Sequence, residues 1–176
     1  MSLPRTFVGF SSTDIRYYRL MLAWKAHEHI DFNFCDCQLQ NELRSEDETY
    51  IKRKCRARIE MAGTFIQLIG SDTRYKHKYV RWEAEIALEK RCRIIGVNVD
   101  GSTRMNAETC PPIIQDVGAV FVPFSPQIVA YALEGYRRNY SGHWMYPEER
   151  YKNLGYVLVG NQAMRPFRPL PPWLLR

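Results

Sequence analysis

No stretch of this 176-residue chain approaches the roughly 18 consecutive apolar residues of a membrane-spanning helix. Cysteine is sparse, odd in number and irregularly spaced, at Cys35, Cys37, Cys55, Cys92 and Cys110. That pattern offers no disulfide framework. Cys35-Asp36-Cys37 leaves a single residue between thiols, where structural zinc sites use longer spacers. The cysteines are therefore read as reduced, structural thiols, and no metal is expected. Glycine-rich phosphate loops are absent, because Val8-Gly9-Phe10-Ser11-Ser12 lacks the repeated glycines of Rossmann or Walker loops. The missing G-x-S-x-G elbow removes a serine hydrolase. His27-Glu28-His29 lacks the spacing of a helix-borne zinc pair. A response regulator would want an aspartate ending the third strand, and that segment ends Leu68-Ile69-Gly70.

What is present describes a folded chain. Apolar residues make up 45% of it, too many for a disordered protein, and the length suits one domain plus an extension. Met1–Arg5 runs straight into a strand-like segment without the apolar core of a signal peptide, so a soluble, cytoplasmic protein is expected. The net charge of +6 permits an anionic partner. Nucleic acid rests on that charge alone and ranks last.

Apolar runs alternate with helical periods. Thr6–Phe10 reads as a buried strand, followed by a helix capped by Thr13 or Asp14 and running to about His27, with a stripe of Tyr17, Leu20, Met21 and Trp24. Ile30–Cys35 reads as a second strand and Gln38–Arg44 as a polar loop. Ser45 opens a helix with capping-box spacing to Glu48, its buried face being Ile51, Cys55, Ile59 and Ala62. Lys52, Arg53, Lys54, Arg56 and Arg58 are read as its solvated face in preference to a nucleic-acid stripe. Thr64–Gly70, Arg93–Val99 and Gly118–Phe124 supply three more strands, with helices over about Tyr79–Arg91 and Pro126–Tyr140. Strands this apolar must be covered on both faces, which predicts a doubly wound parallel sheet in the order 2-1-3-4-5. Its ligand crevice lies beyond the strand C-termini, where the winding reverses. Residues 141–176, rich in Tyr, Trp, Arg and Pro, form an extension to a 1–140 domain, either packed on it or used for docking. Tyr156–Val159 is a candidate further strand.

One acid breaks its helix pattern. Winding Val80–Lys90 at about 100° per residue puts Arg81, Glu85 and Glu89 on a polar face, opposite Val80, Ala84, Ala87 and Leu88. Glu83 falls between Ile86 and Ala87, away from the other acids. An unpaired carboxylate there costs several kcal/mol. The wheel leaves two readings open: a structural ion pair at the helix start, or a site residue.

Phe7-Val-Gly-Phe-Ser-Ser-x-Asp14, Phe65-Ile-Gln-Leu-Ile-Gly-Ser71, Tyr79-Val-Arg-Trp-Glu83 and Ile94-Ile-Gly-Val97 together resemble the TIR-like domain of Thoeris antiphage proteins, over about Thr6–Tyr140. The resemblance implies a flavodoxin-like three-layer sandwich with a five-stranded parallel sheet. It implies cleavage of NAD, as substrate and without a cofactor, at the nicotinamide–ribose bond to give an ADP-ribose-derived signal for an effector protein. By the same resemblance Glu83 is the catalytic carboxylate, with Phe10, Ser11, Ser12 and Trp82 as substrate-binding walls. Self-association into an oligomer or filament and a phage-derived activator are further expectations. Gly9 replaces the serine common in the first-strand motif, and Cys37–Arg44 lacks the Pro-Gly of many signalling TIR domains.

Two other classes remain in view: a non-enzymatic adaptor working through domain contacts, and a flavin mononucleotide binder with Ser11–Thr13 at the phosphate. A colourless purified protein argues against the flavin. The cysteine reading predicts no stoichiometric zinc on elemental analysis of native protein, and one zinc per chain refutes it.

Overall fold

The computed structural model describes residues 3–27, 30–35, 48–76, 78–137 and 139–166. The expected Gln38–Arg44 loop, the Ser45 cap, Cys37, the Glu28-His29 pair and the last ten residues of the extension lie outside them. Strands β1 (Thr6–Gly9), β2 (Phe34–Cys35), β3 (Thr64–Ile69), β4 (Arg93–Asn98) and β5 (Ala119–Pro123) alternate with helices α1 (Ile15–His27), α2 (Glu48–Glu60), α3 (Tyr79–Glu89) and α4 (Pro126–Gly135). The strands are parallel throughout and ordered 2-1-3-4-5, as the pattern predicts. The reversal of winding falls between β1 and β3.

Alternate strand residues feed two separate cores, which is why the strands read as continuous apolar runs. Val8, Ile66, Leu68, Ile95, Val97, Val120 and Val122 pack with α1 and α4 residues such as Tyr18, Met21, Ile128 and Leu133. Phe7, Phe65, Ile69, Ile94 and Phe121 pack with Cys55, Ile59, Ala84 and Ala87 of α2 and α3. Helices therefore cover both faces in three layers, the flavodoxin-like arrangement.

Three local expectations are corrected. The buried residues of α1 are Tyr18, Met21 and Trp24, while Leu20 is 51% exposed. Asp14 lies buried at the end of a 3₁₀ turn, Ser12–Asp14, that precedes the helix, and accepts from Thr73 at 3.1 Å. Second, β2 is only two residues long, since Ile30–Asn33 runs in irregularly. Third, α4 ends at Gly135, where Arg93 takes over its last turn by donating to the carbonyls of Leu133 and Tyr136 at 3.2 and 3.0 Å.

The extension enlarges the sheet. β6 (His143–Met145) adds in parallel beside β5, making a sixth strand that the sequence pattern did not show. α5 (Glu148–Asn153) and an antiparallel hairpin, β7 (Val157–Val159) with β8 (Gln162–Met164), follow. The candidate Tyr156–Val159 strand thus exists, but in this hairpin and not in the main sheet. Tyr151 and Tyr156 bury their rings in the core shared with α1 and α4. Tyr156 exchanges hydrogen bonds with Ser125 and Gln127, the latter at 2.9 Å. The hairpin turn is tied to the loop after β4, where the Thr103 amide donates to the Asn161 carbonyl at 2.7 Å.

Gly118 closes the join between β5 and the extension. Its φ is +76°, its amide donates to the Gly142 carbonyl at 2.8 Å, and a Cβ there collides with the backbone of Asn139. Gly118→Ala is expected to cost roughly 3 kcal/mol or more, since backbone strain adds to overpacking. Gly101→Ala, with φ +83° but open space, should cost about 1 kcal/mol from strain alone. Denaturant melts of the two variants test the difference, and equal losses refute the Gly118 collision.

Candidate active site

In a right-handed parallel fold the helix N-termini lie at the carboxyl edge of the sheet, beside the crevice. The first turns of α3 put Trp82 and Glu83 there. The strand pattern on the other side ends β1 at Gly9, immediately before Phe10, Ser11 and Ser12. Glu83 and β1 meet: a Cβ placed on Gly9 would lie 2.8 Å from Glu83 Oε2. The carboxyl of Glu83 thus occupies the space a side chain at Gly9 would fill, next to the reversal between β1 and β3.

The rest of α3 leaves this acid alone. Arg81 Nε donates to Glu85 Oε1 at 2.8 Å, and Arg56 of α2 grips Glu89 with two bonds of 2.6 and 2.9 Å. Among the described residues no hydrogen bond or ion pair reaches Glu83, so the ion-pair reading loses its partner. Glu83 is half-buried, with its carboxyl lodged against the end of β1. Desolvation, with no compensating charge among the described residues, pushes that carboxyl from 4.5 up to about 8.

The loop after β1 is built differently from a phosphate cradle. Ser11, 2% exposed, shares a 2.8 Å hydrogen bond with Thr13, and Thr13 donates to Asp72 Oδ1 at 2.8 Å. Behind them Thr73 donates to Asp14 Oδ2 at 3.1 Å and accepts from the Gly70 amide at 2.8 Å. Burial raises the Asp14 carboxyl above its usual range. Asp72 is lowered: burial opposes the shift, and hydrogen bonds from Thr13 and Lys76 outweigh it. A phosphate here would face two carboxyl groups, which weighs against the flavin reading. Ser12 is exposed at the start of the 3₁₀ turn.

The two aromatic candidates stand apart. Phe10 stacks on Tyr18 at 4.6 Å between ring centres and packs toward α1. Trp82 is half-buried on the opposite face, edge-on to Tyr79 at 5.6 Å, with Lys52 Nζ of α2 3.6 Å above its ring. Stacking a base on that face of Trp82 requires Lys52 to swing away.

Sequence reasoning missed Gly9 and the Asp14–Thr73 cluster. The signal for Gly9 was available, since glycine inside an apolar strand often marks close approach of another group. Two grooves, of about 520 Å³ beside Gln127 and Arg165 and about 250 Å³ beside Tyr146 and Tyr151, lie among the extension; Glu83 lines neither. Among the described residues, no group of three or more His, Cys, Asp or Glu side chains gathers to hold a metal ion, and no helix is long and apolar enough to cross a membrane.

A flavodoxin-like sheet with an unpaired, desolvated glutamate at its switch point defines the class: a TIR-like domain. The family comparison agrees. Residues 7–104, more than half of the chain, match the Thoeris protein ThsB TIR-like domain, and the chain belongs to that family. Membership carries a TIR-type role in antiphage defence. No curated protein matches the sequence.

The raised acid has a stability consequence. Between about 4.5 and 8 the folded chain keeps a proton on Glu83 that the unfolded chain has released, so stability falls as pH rises through that window. Glu83→Gln removes the titration. Its melting temperature relative to wild type should therefore rise steadily from about pH 5 to about pH 8.5. Thermal melts across that range check this; a difference independent of pH means the carboxyl is not held out of water.

Proposed function

We propose that this domain cleaves NAD at the nicotinamide–ribose bond and makes an ADP-ribose-derived signal in antiphage defence, with Glu83 as the catalytic carboxylate. The observation that carries the proposal is the Glu83 carboxyl, desolvated, unpaired and lodged against the end of β1 at the crevice. Family membership supports the same assignment.

One carboxylate suffices for this chemistry. Ordinary glycoside hydrolysis uses two carboxyl groups, one of them to protonate the departing oxygen. Nicotinamide in NAD is already a pyridinium. When the C1′–N bond breaks, its electron pair neutralises the ring nitrogen, and no general acid is needed. Positive charge develops on the ribose instead, and an ionised carboxylate beside the sugar stabilises it. Water, or a nucleophile within the substrate or from a co-substrate, then attacks C1′ and loses a proton, giving a hydrolysed, cyclic or conjugated product.

The high pKa of Glu83 fits this sequence of charges. Without a counter-charge beside it the acid holds its proton at neutral pH. A pyridinium cation arriving beside it favours the carboxylate form. Binding of a cationic substrate thus switches on the charge that the transition state needs, and releases the desolvation penalty only when a counter-charge is present.

The proposal includes its partners. NAD is the substrate and no cofactor is involved; the product activates an effector protein; self-association and a phage-derived activator set when the site works. The alternative is an adaptor acting by domain association, in which Glu83 matters only for folding.

The test is NAD consumption, with product analysis, by wild type with and without phage lysate, beside Glu83→Gln and the surface control Glu85→Gln. Glu83→Gln should lose about 10²–10³ in rate, and Glu85→Gln should be nearly silent. A wild type that turns over NAD alongside a Glu83→Gln variant keeping more than about a tenth of that rate defeats the assignment. Wild type inert under every condition supports the adaptor.

A further inference from the structure

We infer that Gly9 is a positioning residue for Glu83: the space left by its missing side chain is what admits the carboxyl to the end of β1. As to catalysis this rests on the proposed NAD chemistry; as to geometry it stands by itself. The backbone does not explain the glycine. Gly9 is not among the residues with positive φ, so alanine can adopt its conformation without strain. What alanine lacks is room, since its Cβ would meet Glu83 Oε2 at 2.8 Å and the Phe65 ring at 2.9 Å.

Something must give way, and the structure restricts what. β1 is held against β3 by the pairing of Gly9 with Gln67. Gln67, fully buried, adds a side-chain clamp by donating its Nε2 to the Gly9 carbonyl at 3.2 Å and to the Leu68 carbonyl at 3.0 Å. The strand end therefore resists retreat. The Phe65 ring has no exposed surface, lies in the core with α2 and α3, and stacks on Phe7 at 5.8 Å. Close packing makes its displacement costly. The Glu83 carboxyl is the end of a flexible side chain with no partner among the described residues, and it swings outward.

Among the described residues no charged group is found to act on the Glu83 carboxyl, whose shift comes from desolvation alone. Around the carboxyl, β1 and β3 bring Gly9, Phe65 and Gln67, none of which titrates. On α3 Arg81 and Glu85 pair with each other, and on α2 Arg56 is engaged with Glu89 while Lys52 sits over Trp82. Desolvation alone raises the acid, so outward movement into water must lower it.

The experiment measures the Glu83 carboxyl directly, by ¹³C NMR titration of the full chain labelled at glutamate, with Glu83→Gln identifying the signal and no NAD present. Gly9→Ala is compared with Phe65→Leu and with the double variant Gly9→Ala/Phe65→Leu. The double variant removes the ring collision, so it folds even if the single one does not. Wild type and Phe65→Leu should titrate near 8. Both variants carrying Gly9→Ala should titrate below about 6.5, as an exposed carboxyl does. NAD turnover should fall about tenfold or more in the same two, mainly in kcat.

A carboxyl that still titrates near 8 in the folded double variant overturns the inference. Inert wild type beside a lowered titration defeats the NAD reading and leaves the positioning role intact. Loss of turnover in Glu83→Gln with an unmoved titration in the double variant does the reverse.

Discussion

A desolvated carboxyl lodged against the end of β1, with no cation beside it among the described residues, is the constraint around which this site is organised. Such a group costs free energy in the resting protein unless it stays protonated, and a fold tolerates it only where surrounding packing holds it in place. Here the packing comes from several elements. α3 delivers Glu83 from its early turns, β1 ends in a residue without a side chain, and β3 supplies the Phe65 wall and the Gln67 clamp. None of these works alone. The parallel order that sets β1 beside β3 is what lets a helix following β3 place an acid against β1.

The neighbouring acids show the opposite treatment. Glu85 and Glu89 lie on the same helix, and each meets an arginine at its surface. Exposed pairs of this kind contribute little stability. Neither arginine reaches Glu83, and among the described residues desolvation alone acts on its carboxyl. Asp14 is a second partly desolvated acid, but its hydrogen bond from Thr73 ties the loops after β1 and β3 together. One acid is satisfied and structural. The other has no hydrogen-bond or ion-pair partner among the described residues.

Much of the fold was legible because its signals are periodic. Apolar runs separated by amphipathic stretches gave the five strands, four helices and their order, since only a sheet covered on both faces buries such strands. Glu83 was legible for the same reason, as one acid off the polar arc of its helix. What escaped depends on contacts between distant residues. Leu20 belongs to a perfectly helical stripe, yet it is exposed, and Asp14, read as a possible cap, instead accepts from Thr73, 59 residues away. β6 carries His143, Trp144 and Met145, all exposed, so it has no alternating pattern to betray a strand. Its place is fixed by the free edge of β5, a property of the assembled sheet and not of the segment.

Gly9 illustrates the same limit in the site itself. In sequence it is one glycine in an apolar run, and its departure from the serine of the resembling motif looks like a loss of polar chemistry. In three dimensions the missing atoms are the relevant feature. A serine at this position would bring a hydroxyl to the carboxyl but would also need the volume the carboxyl now fills. With serine, the acid would sit further out, wetter and more readily ionised before substrate arrives. With glycine, it sits deeper, and desolvation pushes it up to about 8. The exchange of one small residue for another thus trades a hydrogen bond for desolvation.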